Sequence, residues 1–458
     1  MLSIKTKKFN KVMLIGQSRI DITPYINISM CGHGEDRFTG LKDKLYATAI
    51  IFCQKEIKVC LITADLIGFT KDFTDNVKSR ISNLLRINKE NIILCASHTH
   101  TGPDVMWPLK SKNNIRYINE LKKKLVNVAK KADESLIESL IEVGVGKASI
   151  GINRRLKVKN VIQFAPNPKG VYDRDVIVVK ISSFGELRGL IISHACHPTS
   201  EQGMVISADY PGKVRDLLKK RYGSRIIISF LLGCCGDVRP NGPYKKGKWT
   251  PLTSKQLLKF KDTVVKVTED IIEDKYPALS FIHSKIKLPM DINRFNLSEL
   301  KKRYESIARS IRKEGITEAD PKGKHYFLRY MKTLEKAIRI KVHKQSIAPV
   351  SLDIALLRIG KIIFVFLPGE VFTEIGLQIK KLRKDCIIVP VALYNVLSPY
   401  SCTEKACKEG GFETKVSVFW YGSQYPFPRS GKCEKIIVEK VSSLLGRKNK
   451  SIRKCKML

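Results

Sequence analysis

Residues 91–103 read Asn91-Ile92-Ile93-Leu94-Cys95-Ala96-Ser97-His98-Thr99-His100-Thr101-Gly102-Pro103. The first six form an apolar run, β-branched at Ile92 and Ile93, with the length of a buried strand rather than a helix. The chain then turns abruptly polar, carries two histidines one residue apart, and ends on Gly-Pro, a turn signal. A strand that opens directly into such a loop suits an α/β protein, in which ligand and catalytic groups sit on strand-end loops. The pattern recurs further on. A second strand over 190–193 leads into His194-Ala195-Cys196-His197-Pro198-Thr199-Ser200. Four of the eight histidines lie in these two motifs. Neutral imidazole is the commonest metal ligand. One such histidine would read as a satisfied polar residue in a turn; two pairs at strand ends beside proline point to a metal site.

Outward from these motifs, apolar runs predict strands over 57–66, 141–145, 176–181 and 226–232, and helical periodicity predicts helices over 72–85, 115–132 and 211–221. Residues 352–359 and 362–367 read as a hairpin around Gly360, followed by a helix over 370–382, a strand over 387–394 and an amphipathic helix over 432–445. The stretches 254–274 and 297–342 read as largely helical and strongly charged. The fold class expected is α/β with mixed sheets. The expected organisation is one domain over 1–458 with a charged helical insertion at about 290–345.

The 458 residues are 43% apolar and 28% charged, a globular rather than a disordered composition. No apolar run approaches the ~20 residues of a membrane-spanning helix. The basic start at 1–8 is followed by an apolar stretch, 12–16, too short for a signal peptide, so no secretory signal is expected. The 12 cysteines show no C-x-x-C spacing and read as reduced thiols of a cytoplasmic protein. Lys plus Arg is 83 against 43 for Asp plus Glu, a net charge of +40. Such a charge favours anionic partners. The basic residues are scattered, however, in clusters at 122–124, 130–131, 301–303, 380–384 and 447–456, without a nucleic-acid recognition motif. The expectation is peripheral contact with anionic membrane and no specific nucleic acid.

A metal between such histidines calls for a carboxylate. Asp65 closes the strand over 57–64, Asp209 precedes Tyr210-Pro211, Asp237 follows Gly236, and Glu370 follows Pro368-Gly369. Each aspartate can equally be a helix N-cap. Glu370, read as opening a helix, would also suit the helix dipole.

Taken in order, these segments resemble the catalytic domain of the neutral/alkaline non-lysosomal ceramidase family. Gly16 to Pro24 resembles the family's opening G-x-x-x-x-D-I-T-P, and Thr63-Ala64-Asp65-Leu66 its S-A-D-L strand end. Ser97 to Pro103 resembles the H-T-H-[ST]-G-P zinc motif, Asn153-Arg154 its N-R element, and His197-Pro198-Thr199-Ser200 its second zinc motif. Gly236 to Asn241 resembles G-D-V-S-P-N, Pro368-Gly369-Glu370 with Thr373 resembles P-G-E-x-x-T, and Tyr400 with Thr403 resembles the start of Y-x-x-T-x-E. The resemblance runs from about Gly16 to Gly422.

The resemblance implies Zn²⁺ as cofactor, with His98, His197, Glu370 and Tyr400 as its ligands. It implies catalytic roles for His100 and Arg154, and places Asp65, Arg239 and Phe412 among the substrate contacts. The implied activity is cleavage of an N-acyl amide bond by a zinc-dependent amidohydrolase, with ceramide-like lipid as the family's default substrate. The alternative is a non-catalytic zinc-containing protein that binds anionic lipid or nucleic acid through its basic surface. There are departures from the family. Phe412 stands where the family has a tyrosine thought to hold the amide oxygen, and Arg239 replaces the serine of G-D-V-S-P-N. Glu404 falls one position early, and no counterpart of the C-terminal immunoglobulin-like domain is expected. Loss of one oxyanion donor elsewhere costs about 2.7–4 kcal/mol of barrier, which Arg154, Arg239 or Tyr421 could offset. Arg239 either reaches the cleft, where it would favour a carboxylate or phosphate on the substrate, or faces solvent.

Overall fold

The computed structural model describes residues 13–25, 28–31, 38–106, 111–271, 273–274, 278–316 and 326–446. The basic tail at 447–456, the start at 1–8 and residues 317–325 of the charged helical stretch lie outside the described residues.

Three sheets make the framework. The first runs Ile92–Ala96, Ile57–Ala64, Tyr46–Gln54, Leu14–Asp21, Ile137–Glu138 in spatial order. The second runs Ile227–Leu232, Glu186–His194, Asp175–Ser183, Leu140–Lys147, Glu273–Asp274. The third runs Leu279–Leu288, Val350–Ile359, Ile362–Phe366, Ile387–Val391. Neighbouring strands are antiparallel, with one parallel pair at an edge of each sheet. A parallel pair needs a crossover, usually a helix. The helices Lys71–Leu85, Asp209–Tyr222 and Thr373–Lys380 supply the three crossovers. The fold therefore contains three strand–helix–strand units.

Side-chain alternation explains how the sheets stack. Ile50, Phe52, Leu61 and Ile93 of the first sheet, Ile177, Val179 and Ile191 of the second, and Leu357, Phe364 and Val389 of the third share one buried cluster. Their neighbours one residue along face the other way. Ile51, Ile62 and Leu94 pack on the helices Lys71–Leu85 and Lys112–Glu134. Val178, Ile192, Ile354 and Val365 pack with residues of the helices on the opposite side. Both faces of each of these three sheets are thus covered, which is why the central strands read as continuous apolar runs. Polar bonds link the sheets inside this core. The Thr48 hydroxyl bonds those of Thr63 and Ser229, each at 2.6 Å. Past the third sheet, the Asn395 amide bonds the Leu94 carbonyl at 2.8 Å.

Several sequence expectations are corrected. The helix read over 370–382 starts at Thr373, because Gly369 (φ 70°) turns the chain and leaves Glu370 on the preceding loop. Glu370 is therefore not a helix-opening residue. The helix read over 254–274 ends at Glu269. The strands Leu14–Asp21, Tyr46–Gln54 and Leu279–Leu288 were not read from the sequence. The charged stretch forms two helices, Leu297–Glu314 and Tyr326–Val342, with their own small core around Phe295, Leu334 and Phe419. Lys380, counted in a basic cluster, pairs with Asp173 and Asp175.

The strand Leu14–Asp21 and the helix Lys112–Glu134 touch backbone to backbone at Gly16. A Cβ there would lie 1.8 Å from the Ala132 carbonyl oxygen, so only glycine fits. Gly16→Ala should lower the urea midpoint by the equivalent of about 1–3 kcal/mol or more, whereas Ile50→Val in the shared core should cost about 0.5–1.5 kcal/mol. An unchanged midpoint for Gly16→Ala would show that this contact does not constrain the fold.

Candidate metal centre

The site forms where the parallel strands of the three sheets end. His98 follows Ile92–Ala96, and His197 follows Glu186–His194. Glu370 follows Ile362–Phe366, and Tyr400 lies on the loop after Ile387–Val391. Ligand sites of open α/β sheets sit beyond the carboxyl ends of strands, and here four such ends, from three sheets, converge. His98, His197, Glu370 and Tyr400 are all buried. His98 adopts φ 70°, a conformation rare for non-glycine residues, and its N–H is held by the Leu66 carbonyl at 2.8 Å.

Main-chain carbonyls fix both imidazoles. Nδ1 of His98 lies 2.6 Å from the Ile67 oxygen. Nδ1 of His197 lies 2.7 and 2.9 Å from the Cys235 and Val238 oxygens. A carbonyl only accepts, so Nδ1 carries the proton in each ring and Nε2 faces inward. Both Nε2 atoms meet the same carboxylate oxygen. Oε2 of Glu370 is 2.9 Å from His197 Nε2 and 3.3 Å from His98 Nε2. Tyr421 donates its hydroxyl to the other oxygen, Oε1.

Burial, with Arg154 nearby, pulls His197 down to about 4. Burial alone would raise Glu370, but the neighbouring imidazoles outweigh it and hold the carboxyl well below its ordinary range. An imidazole lone pair and a carboxylate oxygen at this distance require something positive between them, a proton or a metal ion. Nε2 of His98 is buried and makes no well-formed hydrogen bond. Two ligands on a tetrahedral zinc, at about 2.0–2.1 Å each, lie on the order of 3.3 Å apart. The donor set therefore fits a metal ion. Orienting bonds from the far ring nitrogen are also usual for metal-ligating histidines. His100 completes a histidine cluster whose candidate ligand atoms all lie within 4.8 Å of one another. Its ring stands 4.8 Å from that of His98 and 6.1 Å from that of His197.

Arg154 joins this group from the strand Gly151–Val158. Its Nη2 donates to the Tyr400 hydroxyl at 3.0 Å and to the Gly236 carbonyl at 2.7 Å. Its Nε pairs with Glu413 at 2.9 Å. Glu413 pairs through its other oxygen with Arg155, at 2.7 Å. All three charges are buried. Glu413 sits in a π-helical turn, Phe412–Val416, entered through Gly411 at φ 100°. Neither Glu413 nor Arg155 was singled out in the sequence. Tyr421 was weighed there only as a substitute donor.

The remaining candidates are placed as follows. Asp65 is not brought to the histidines. Its carboxylate pairs with Arg215 at 2.6 Å and accepts from the Tyr46 amide at 2.9 Å, a buried ion pair. Asp209 accepts from the Glu201 and Tyr210 amides, and burial pushes it up to about 7. Asp237 bonds Asn153 and the Thr373 amide, which ties the base of the site together. Phe412 packs edge-on against Phe164, with ring centroids 5.5 Å apart. Arg239 does not face open solvent. It lies over Trp249 at 4.2 Å and donates to the Thr199 carbonyl at 3.2 Å, two residues past His197.

Residues 13–257 match the neutral/alkaline non-lysosomal ceramidase family, N-terminal part. The chain belongs to this family. Membership supports a hydrolase acting on an amide bond. The matched residues contain His98, Arg154 and His197, while Glu370 and Tyr400 lie beyond them. A crystal structure of neutral ceramidase from Pseudomonas aeruginosa is similar in fold, with TM-score 0.67 and 16% identity over 94% of this chain and 74% of that one. A ceramidase complexed with C2 gives TM-score 0.69 and 17% identity over 95% and 75%. At these identities the likeness speaks for the fold.

Removing Glu413 would leave Arg154 buried with no paired carboxylate among the described residues, and Arg155 with only Glu409, at 4.0 Å. Breaking such a pair from one side costs about 3–5 kcal/mol. Glu413→Ala should therefore unfold at markedly lower denaturant than the parent protein. A midpoint within error of the parent would show that the Arg154–Glu413–Arg155 group does not hold the site.

Proposed function

We propose that the chain is a zinc-dependent amidohydrolase that cleaves the N-acyl amide bond of a lipid-like substrate, ceramide-like lipids being the family's default. The observation that carries this reading is the convergence of both Nε2 atoms on Glu370 Oε2 in a buried site, with Tyr400 and Arg154 alongside. In this reading His98, His197, Glu370 and Tyr400 hold the metal. Zinc bound there supplies a Lewis acid for the amide carbonyl and lowers the pKa of water toward ~7.

The chain's own groups do the rest. His100 is partly exposed beside the two buried rings. It is placed to take a proton from the attacking water and return it to the leaving nitrogen. The acyl carbon gains the hydroxyl oxygen, the C–N bond breaks, and the products are a carboxylic acid and an amine. Arg154 keeps a fixed positive charge beside the reacting group, oriented by Glu413 and Gly236. It supplies what Phe412, which has no donor, lacks.

In this reading a hairpin beside the site serves as the approach for the acyl chain. The hairpin Gly151–Val158 and Val161–Asn167 exposes Val158, Val161 and Phe164, with Lys157 and Lys159 around its turn. The Phe164 ring reaches Phe412 and lies 5.0 Å from the Arg154 guanidinium carbon. Apolar residues flanked by lysines suit an anionic lipid surface.

Zinc-supplied protein should release fatty acid from N-lauroyl sphingosine in detergent. His100→Ala should keep its metal and lose about 10²–10⁴ in kcat, the usual size of a general acid–base contribution. An unchanged kcat, or no cleavage across a panel of N-acyl amides, contradicts the reading. Val161→Asp should weaken binding to anionic vesicles and slow turnover there while sparing detergent-dispersed substrate. Equal loss in both settings would remove the hairpin from lipid approach.

A further inference from the structure

Arg239 is a cation near Arg154 that pairs directly with no carboxylate among the described residues. Its backbone is fixed by the pairing of Val238–Pro240 with the strand that carries Arg154, Ile152 standing opposite Arg239. Its guanidinium carbon lies 4.2 Å from the Trp249 ring centroid and 5.9 Å from that of Phe164. Arg154 lies over the same Phe164 ring at 5.0 Å. The two guanidinium groups therefore flank one aromatic residue, Phe164, which also packs on Phe412.

The hydrogen-bond inventory sets Arg239 apart. A guanidinium offers five N–H donors. Arg239 places one, from Nη2 to the Thr199 carbonyl at 3.2 Å, while its Nε is buried and bonds nothing. The buried arginines nearby are compensated, whereas Arg239 itself is partly buried. Arg154 and Arg155 share Glu413, and Arg215 has Asp65. Arg429 donates to the hydroxyls of Ser398 and Ser401. No carboxylate pairs with Arg239 among the described residues. Burial, with Arg154 nearby, pulls its guanidinium down to about 10, which leaves it cationic at neutral pH. A desolvated cation with open donors is costly unless an anion completes it.

We propose that Arg239 binds an anionic oxygen group of the substrate, so that the preferred substrate is an N-acyl amine bearing a carboxylate or phosphate close to the amide rather than the neutral head of ceramide. This rests on the amidohydrolase reading and narrows its substrate class. The Trp249 ring holds the guanidinium plane, the Thr199 carbonyl fixes one edge, and the remaining donors form a fork for two oxygens. The amide beside that anion then falls next to Arg154 and the histidines.

The test compares N-lauroylglycine, N-lauroylphosphoethanolamine and the neutral N-lauroylethanolamine in the zinc-supplied protein, for the parent, Arg239→Ser and Arg239→Lys. Thermal unfolding checks that each variant is folded. The parent should favour at least one anionic substrate over the neutral one by tenfold or more in kcat/KM. Arg239→Ser should bring that ratio close to one, chiefly through KM, and Arg239→Lys should restore part of it. The anion with the larger ratio identifies the group as carboxylate or phosphate. Equal treatment of all three by the parent, or an unchanged ratio in Arg239→Ser, overturns the proposal. Equilibrium binding of N-lauroylglycine separates this from the wider reading. Binding that depends on Arg239 without cleavage of any amide would overturn the amidohydrolase and keep the anion site. Binding and cleavage that ignore Arg239 would do the reverse.

Discussion

Glu413 is the counter-charge on which the site is hung. Its two oxygens hold Arg154 and Arg155, neighbours in one strand, from a turn some 250 residues later in sequence. Three buried charges cost much desolvation, and only close pairing with further hydrogen bonds recovers it. Arg155 gains those bonds from the Gly410 carbonyl, and Arg154 from Gly236 and Tyr400. The electrostatics thus fixes the distance between the hairpin that carries Arg154 and the loop that carries Tyr400. Tyr400 in turn stands beside Glu370, where both imidazoles converge.

The sheets do the coarser positioning. Each contributes one strand–helix–strand unit, and loops at the carboxyl ends of the strands in those units carry His98, His197, Glu370 and Tyr400. The shared core behind them is apolar on both faces of each sheet, so the strand ends cannot shift independently. A site built from four such ends has its groups far apart in sequence and close in space. It is then trimmed by local devices: carbonyls that orient each imidazole, a left-handed residue at His98, and glycine at 369.

How much of this was legible in the sequence follows from how local each signal is. The histidine loops were visible because an apolar strand switching to a polar, proline-terminated loop is a feature of ten residues. The strands over 57–66 and 226–232 and the helix over 211–221 were visible for the same reason. Leu14–Asp21 and Leu279–Leu288 were not, since polar and charged residues interrupt their apolar pattern at partly exposed positions. The paired histidine motifs pointed to a metal site by themselves, and the resemblance to the family supplied the full ligand set, Tyr400 included. Long-range pairing was out of reach. Nothing around Asp65 announces Arg215, and nothing around Arg155 announces Glu413. The side of Arg239 was equally undetermined until Trp249 was folded against it.

The proposed centre depends on which atoms would face a bound zinc ion. Two imidazoles aimed at one carboxylate argue for a centre of two histidines with oxygen donors, and the neighbouring His100 offers a three-histidine alternative. X-ray absorption at the zinc edge on the metal-loaded protein counts imidazoles directly through their outer-shell scattering. The proposed ligand set gives two imidazoles with the remaining ligands oxygen, unchanged in His100→Ala. Three imidazoles, falling to two in that variant, would contradict it.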